Sequence, residues 1–406
     1  MLSSTLSAIE RDLSLNNLDF LYSRSQHLNS SSSPSPSYPM KVTLVIYALG
    51  SGGAERVMSI LANYWTTHGW NVTLITLVGE SRPPFYPLDP RINLKQLGIA
   101  GDSTNLLATI KTSWERIQAL RVEIKASKPD TVIGFMNTVN VLVILATWNL
   151  HIPIIVSEHI YPAFQDANKI WQLLMKLTYR YADRVTLLTQ NALAFYPVAQ
   201  GYPSMVMPNP VLTPPPAQTT ARFSPHPTLI AMGRLHPQKG FDLLLEAFEQ
   251  IQAKHPEWHL VILGEGPMRD ELEQLRAKLG LTHRVSFPGS VQDVNDRLRQ
   301  ADLFVMSSRF EGFPMALCEA MACGLPVIAT DCLSGPRDII RDGIDGVLVP
   351  VADIAALAAG LDNLIASPLK RQQLAQAAPQ VLERFGLERV MGLWSETIDR
   401  VIAQRS

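Results

Sequence analysis

Glu311 lies in a loop and Glu319 eight residues on, about a turn and a half into a helix opened by Pro314, within SSRFEGFPMALCEAMA (residues 307–322). Proline suits the first helical position, where its missing N–H costs nothing. Met315, Ala316 and Leu317 then present free backbone N–H groups at the positive end of the helix, which favours an anion. One carboxylate stands at the loop and the other under the helix terminus. A pyrophosphate held there would have a sugar on one side and a ribose on the other.

Cations that could complete such a site stand upstream. Gly233-Arg234-Leu235-His236-Pro237-Gln238-Lys239-Gly240 follows an apolar strand, with Arg234 and Lys239 five residues apart on a glycine-bounded loop. Arginine offers a planar fork and lysine a point charge, so the two can converge on one anion. Gly264-Glu265-Gly266-Pro267 repeats the strand-then-glycine pattern. A third glycine turn, Gly50-Ser51-Gly52-Gly53-Ala54-Glu55-Arg56, closes the first strong strand. There Gly52 and Gly53 could let backbone N–H groups approach a phosphate. The dinucleotide fingerprint needs a third glycine where Glu55 stands, although Glu80 could imitate a ribose-binding acid.

These loops need sheets to hold them. Apolar, β-branched runs at 42–49, 71–78, 131–135, 154–157 and 185–189 alternate with helical spacing, as at 54–68. A second series runs from 228–232 through 259–263, 285–287, 303–306 and 327–329. This βαβ repetition predicts two Rossmann-like, doubly wound parallel sheets of the α/β class. Residues 1–39 carry SSSSPSPS and no apolar face, so they read as a disordered extension; either Met40 is the true start or they are a tail. The first domain is expected at 40–210, a Pro-rich linker at 211–223, the second domain at 224–390, and a terminal helix at 391–406 crossing back to the first.

Composition narrows the class. The 406 residues are 47% hydrophobic, enough for real cores, and their formal net charge is −1, which argues against a nucleic-acid binder. Cys318, Cys323 and Cys332 are too few for a disulfide framework and point to a reducing, cytoplasmic setting. The first lobe is net basic and the second net acidic. An anion on the second lobe would therefore be held by local groups, not by bulk field. No stretch reads as a membrane span, because 139–156 is interrupted by Asn140, Asn149, His151 and Pro153. Residues 168–184 read as a helix with Lys169, Gln172, Lys176, Arg180 and Asp183 on one side and Trp171, Leu174, Leu177 and Tyr181 on the other. Such a helix could lie on an anionic membrane at the inner face of the plasma membrane, or simply turn its basic stripe to water.

Taken in order, GGAERV, SEH, MPNPV, GRL–QKG, GEGP, Glu311-x7-Glu319 and SGP resemble the retaining, nucleotide-sugar-dependent glycosyltransferases of GT-B architecture, family 4 in the usual classification. The resemblance covers residues 41 to about 400. The FPM–EAMACG–DCLSGP variant is similar to enzymes that add hexoses or N-acetylhexosamines to lipid-linked or capsular glycans.

The resemblance implies two domains facing across a cleft, a nucleotide-sugar donor as substrate and a glycan or polyprenyl-linked acceptor. Arg234 and Lys239 would bind the diphosphate, Glu319 the ribose, and Glu311 the transferred sugar. Gly52 and Gly53 would approach the distal phosphate, His159 the sugar C6 or the acceptor, and Gly264 and Val291 the base. Pro314 stands where many relatives carry glycine, which shifts the phosphate contact to Met315 and Ala316. No Asp-x-Asp occurs, so neither a metal nor another cofactor is expected, and protein cations would carry the leaving charge. Two other readings stand beside this one: a catalytically silent sugar-nucleotide-binding protein, and a nicotinamide-dependent dehydrogenase built on Gly50–Gly53 and Glu80.

Overall fold

The computed structural model describes residues 39–79, 83–100, 106–160, 169–217, 222–291 and 293–405, without the side chains of 106–111. The N-terminal extension up to residue 38 and Glu80 lie outside the described residues. The compact unit described below begins at Lys41.

Its first sheet comprises β1 (Lys41–Ile46), β2 (Asn71–Thr76), β3 (Asn93–Gln96), β4 (Thr131–Phe135), β5 (Ile154–Glu158), β6 (Arg184–Leu187) and β7 (Ser204–Val206). They lie in the order β3-β2-β1-β4-β5-β6-β7, every pair parallel. The second sheet comprises β8 (Thr228–Met232), β9 (His259–Leu263), β10 (Val285–Gly289), β11 (Leu303–Met306), β12 (Val327–Thr330) and β13 (Val347–Val349). Its order is β10-β9-β8-β11-β12-β13, again parallel. Central strands β4, β5 and β12 are buried along their whole length, as continuous apolar runs in a two-sided parallel sheet require.

Each sheet reverses its winding once, between β1 and β4 and between β8 and β11. Ligands of open α/β sheets bind outside the carboxyl ends of strands at such points. Four of the segments singled out in the sequence follow strands at these ends or beside them: Gly50–Gly53 after β1, Ser157-Glu158-His159 at and after β5, Gly233–Gly240 after β8, and Ser307–Glu311 after β11.

Several elements differ from the sequence reading. β1 stops at Ile46 and β6 runs Arg184–Leu187, and the edge strands β3, β7 and β13 have no counterpart among the strands read from sequence. Edge strands are short and half-exposed, so they need no apolar run. Helix α1 (Gly53–Thr67) begins one residue early. Helix α2 (Asn137–Ala146) follows β4 through Met136, whose φ is +75°, a strained value for a non-glycine residue.

Helix α3 (Lys169–Thr178) corrects the expected faces. Trp171, Leu174, Met175 and Thr178 turn inward, whereas Ile170, Leu173, Leu177 and Tyr181 are exposed beside Lys169, Lys176 and Arg180. Leu177 and Tyr181 thus lie on the solvent side, because the seam that packs on the domain runs through 171, 174, 175 and 178.

The chain crosses between lobes again near its end. Val211 N–H donates to the Phe385 carbonyl (2.8 Å) just before helix α4 (Leu387–Arg405). That helix packs on the first lobe. Trp394 meets Trp65 edge-on at 6.1 Å, the Tyr64 hydroxyl donates to Glu388 (2.7 Å), and Arg405 pairs with Asp183 (2.7 Å).

Candidate active site

The second-lobe half of the site is built by backbone packed on backbone. A Cβ on Gly264 would collide with the Gly233 carbonyl, and one on Gly266 with the Leu235 backbone. The glycines of GEGP therefore let the turn after β9 lie directly under the loop after β8. Gly240 has φ +62° and abuts the Ser307 carbonyl, fixing that loop against the one after β11. Ser307 Oγ donates to the Lys239 carbonyl (2.9 Å) and Gln238 Nε2 to the Phe310 carbonyl (3.0 Å). The Arg309 guanidinium forks onto Asp242 at 2.8 and 2.6 Å.

Within this frame Lys239 Nζ lies 2.6 Å from Glu311 Oε1, and Ser308 Oγ donates to the same oxygen (2.6 Å). Glu311 is only 5% exposed. From sequence, Lys239 was assigned to the diphosphate and Glu311 to the sugar; here they are one ion pair. Arg234 is exposed and makes no ion pair among the described residues.

Helix α5 (Met315–Ala322) follows directly. Pro314 is its N-cap, with ψ 89°, and not its first helical residue as the sequence suggested. The Leu317 N–H, expected to be free, donates to the Pro314 carbonyl (3.1 Å). The amides of Met315 and Ala316 occupy the first turn, where helical geometry supplies no partner. The SGP motif supports this terminus: Ser334 Oγ donates to the Gly312 carbonyl (3.0 Å), and Gly335, φ +96°, lies against Pro314.

Glu319 is buried, and burial raises its carboxyl above the usual range, opposed by the guanidinium of Arg56. Arg56 belongs to the first turn of α1 and pairs with Glu319 across the two lobes. Arg56 lies inside GGAERV, a motif that by itself assigns it no partner. One signal was available: neither Ser59 nor Ile60, at helical i+3 and i+4, offers it an acid. Gly52 caps α1 and Gly53 starts it, and the Glu55 carboxylate folds back into the space a Gly52 Cβ would fill.

His159 stacks on Phe135 (4.5 Å between centroids), and its Nε2 lies 3.0 Å from Ser157 Oγ. Burial holds its imidazole down to about 3, so it is neutral at physiological pH. Its backbone carbonyl faces Gly312, next to Glu311, where a Cβ would stand only 2.7 Å away. The structure thereby brings SEH of the first lobe to the Glu311 loop of the second. Neighbouring Glu158, the middle residue of SEH, is buried and accepts from Asn140 (2.9 Å) and the Tyr179 hydroxyl. Val291 lies beyond β10, partly buried against the second-lobe core.

Residues 218–381 match the family model for glycosyl transferases group 1, and residues 51–213 match that for glycosyltransferase family 4. A Campylobacter jejuni alpha-1,4-N-acetyl-D-galactosaminyltransferase, named for a diNAcBac-PP-undecaprenol-linked acceptor, is 29% identical over 364 residues, 89% of this chain and 99% of the relative. Among solved structures, sucrose-phosphate synthase from Thermosynechococcus elongatus superposes with TM-score 0.76 at 19% identity, covering 90% of this chain and all of that one. The Anabaena protein HepE, solved with UDP, gives 0.70 at 20% identity over 89% of this chain and all of its own. Among the described residues no helix is long and apolar enough to cross a membrane.

Proposed function

The chain belongs to the GT-B glycosyltransferases of the group 1 and family 4 kind, and we propose that it transfers a hexose or N-acetylhexosamine from a UDP-sugar to a lipid-linked or capsular glycan with retention of anomeric configuration. One observation carries this reading: the Lys239–Glu311 pair, at the carboxyl ends of β8 and β11, next to the amide terminus of α5. A departing nucleoside diphosphate needs its developing charge met by groups already in place. Arg234, Lys239 and the Met315 and Ala316 amides supply these. Glu311 then faces the sugar and Glu319 the ribose, while Gly52 and Gly53 reach the distal phosphate. Gly264 and Val291 border the base. His159, neutral and acceptor-capable, takes a hydroxyl of the sugar or acceptor.

Because protein cations meet the leaving charge and the sequence lacks Asp-x-Asp, transfer is expected without a metal ion. The acceptor reading leans on the Campylobacter relative, whose name specifies an undecaprenol-linked glycan. A lipid-linked acceptor would place the chain against a bilayer. The exposed stripe Ile170, Leu173, Leu177 and Tyr181, with Lys169, Lys176 and Arg180 beside it, suits the anionic, cytoplasmic face of one.

The reading is tested by incubating the chain with UDP-glucose, UDP-galactose and their N-acetylated counterparts, with and without EDTA, and following UDP release and product linkage. Failure of every UDP-sugar to bind or turn over would sink it; loss of turnover in EDTA would sink metal independence alone. For the membrane contact, co-sedimentation with vesicles containing phosphatidylglycerol should fall in Leu173→Glu/Leu177→Glu. Equal sedimentation of variant and wild type would exclude that helix.

A further inference from the structure

Arg56 and Glu319 are the clearest charge pair joining the two lobes at the site. Arg56 comes from the first turn of α1, directly after the glycine turn, and its side chain is 32% exposed. Glu319 comes from inside α5, and its side chain is 8% exposed. The guanidinium of Arg56 meets Glu319 directly at Oε1. Tyr86 lies within electrostatic reach of them: its hydroxyl donates to the Ser51 carbonyl (3.1 Å), and the charges of Arg56 and Glu319 both act on its phenol.

This arrangement is a conflict if Glu319 must also take two ribose hydroxyls. A carboxylate is acceptor-only, and neighbouring hydroxyls need both of its oxygens. The first lobe has a matching deficit. Its glycine turn is proposed to meet the distal phosphate, yet Glu55 sets a negative charge over that turn. Pro314 removes an amide from the opposing terminus. A cation on the first lobe is needed, and among the described residues Arg56 already stands at the junction.

We infer that Arg56 is a further donor-binding residue, held on Glu319 in the nucleotide-free protein and transferred to the distal phosphate of a nucleoside diphosphate when the ribose takes Glu319. The inference rests on the donor reading above. Nucleotide entry then exchanges a protein–protein contact between lobes for one made through the ligand, and the lobes stay joined in both states. Guanidinium suits both partners, since carboxylate and phosphate each accept its planar fork.

The exchange has a signature that a structural salt bridge lacks. Arg56 competes with the nucleoside for Glu319 but attracts the diphosphate, so its removal should move the two affinities in opposite directions. The full chain, as wild type, Arg56→Met and Arg56→Lys, is titrated calorimetrically with UDP, GDP and ADP. The corresponding nucleosides are followed by ligand-observed NMR, which reads millimolar binding. With the base that the wild type prefers, Arg56→Met should lose about tenfold or more in diphosphate affinity, the effect of one charge-assisted contact. Its nucleoside affinity should hold or rise. Arg56→Lys, which keeps the charge without the fork, should fall between for the diphosphate. Melting curves of both variants exclude loss of folding. Unchanged diphosphate binding in Arg56→Met, or equal weakening of nucleoside and diphosphate, would overturn the inference. A wild type that binds none of the three diphosphates would overturn the donor reading itself, and this inference with it.

Discussion

Lys239 Nζ stands 2.6 Å from Glu311 Oε1, with Ser308 Oγ donating to the same carboxylate oxygen. The cation assigned to the leaving diphosphate therefore also holds the acid assigned to the sugar, and damage to one reaches the other. Lys239→Met should lower unfolding free energy by about 1–3 kcal/mol, because among the described residues the buried Glu311 then keeps only its Ser308 partner. Adding Glu311→Gln should recover most of that loss. Urea unfolding of the two singles and the double decides it, and losses that simply add would show the pair to be uncoupled.

Gly335 lies against the cap of α5, with φ +96° and a Cβ position 2.5 Å from Pro314 Cδ. Gly335→Ala forces both an unfavourable backbone and a collision, at about 1–3 kcal/mol. The amides of Met315 and Ala316 should shift with Pro314, so diphosphate affinity should fall with the melting temperature. A variant that melts and binds as wild type would show that this turn does not position the helix terminus.

His159 gives a signed pH dependence. Its folded value is about 3 against an ordinary 6.5, and burial is the cause. Between those values the unfolded chain binds a proton that the native chain does not, so stability rises with pH across the window. The contribution is fully present above about 6.5 and is lost as pH falls toward 3. His159→Gln should lose less stability than wild type between pH 7 and pH 4.5. Parallel stability curves across that range would mean that the half-buried imidazole is not shielded from water in the folded chain.

Trp394 is 2% exposed and meets Trp65, at 1% exposure, across the lobes. Trp394→Ala should cost about 3–5 kcal/mol, the usual penalty for deleting a large buried ring. Differential scanning calorimetry reads it directly. A change below about 1 kcal/mol would mean that the terminal helix can leave the first lobe freely.

Much of the site was legible from the sequence because its pieces are local. Apolar β-branched runs ending in glycine specify parallel strands and the turns after them, whatever surrounds the strands. The spacing of Glu311 and Glu319 around Pro314 specifies one acid before a helix and one inside it. The two sheets and the ends of the strands that carry the loops follow from these signals, and the ordered motifs from GGAERV to SGP carry the resemblance to a family. The edge strands β3, β7 and β13 are not legible in the same way, because each is only three or four residues long and partly exposed.

Partnership was settled only by the tertiary structure. Lys239 and Glu311 are 72 residues apart, and their meeting depends on β8 and β11 being neighbours across the reversal of the sheet. Arg56 and Glu319 belong to different lobes, so no spacing in either segment could link them. The inward face of α3 was likewise fixed by the domain it packs on. Composition marks a helix as amphipathic, but when apolar side chains lie almost all round it, only burial against a neighbour selects the seam.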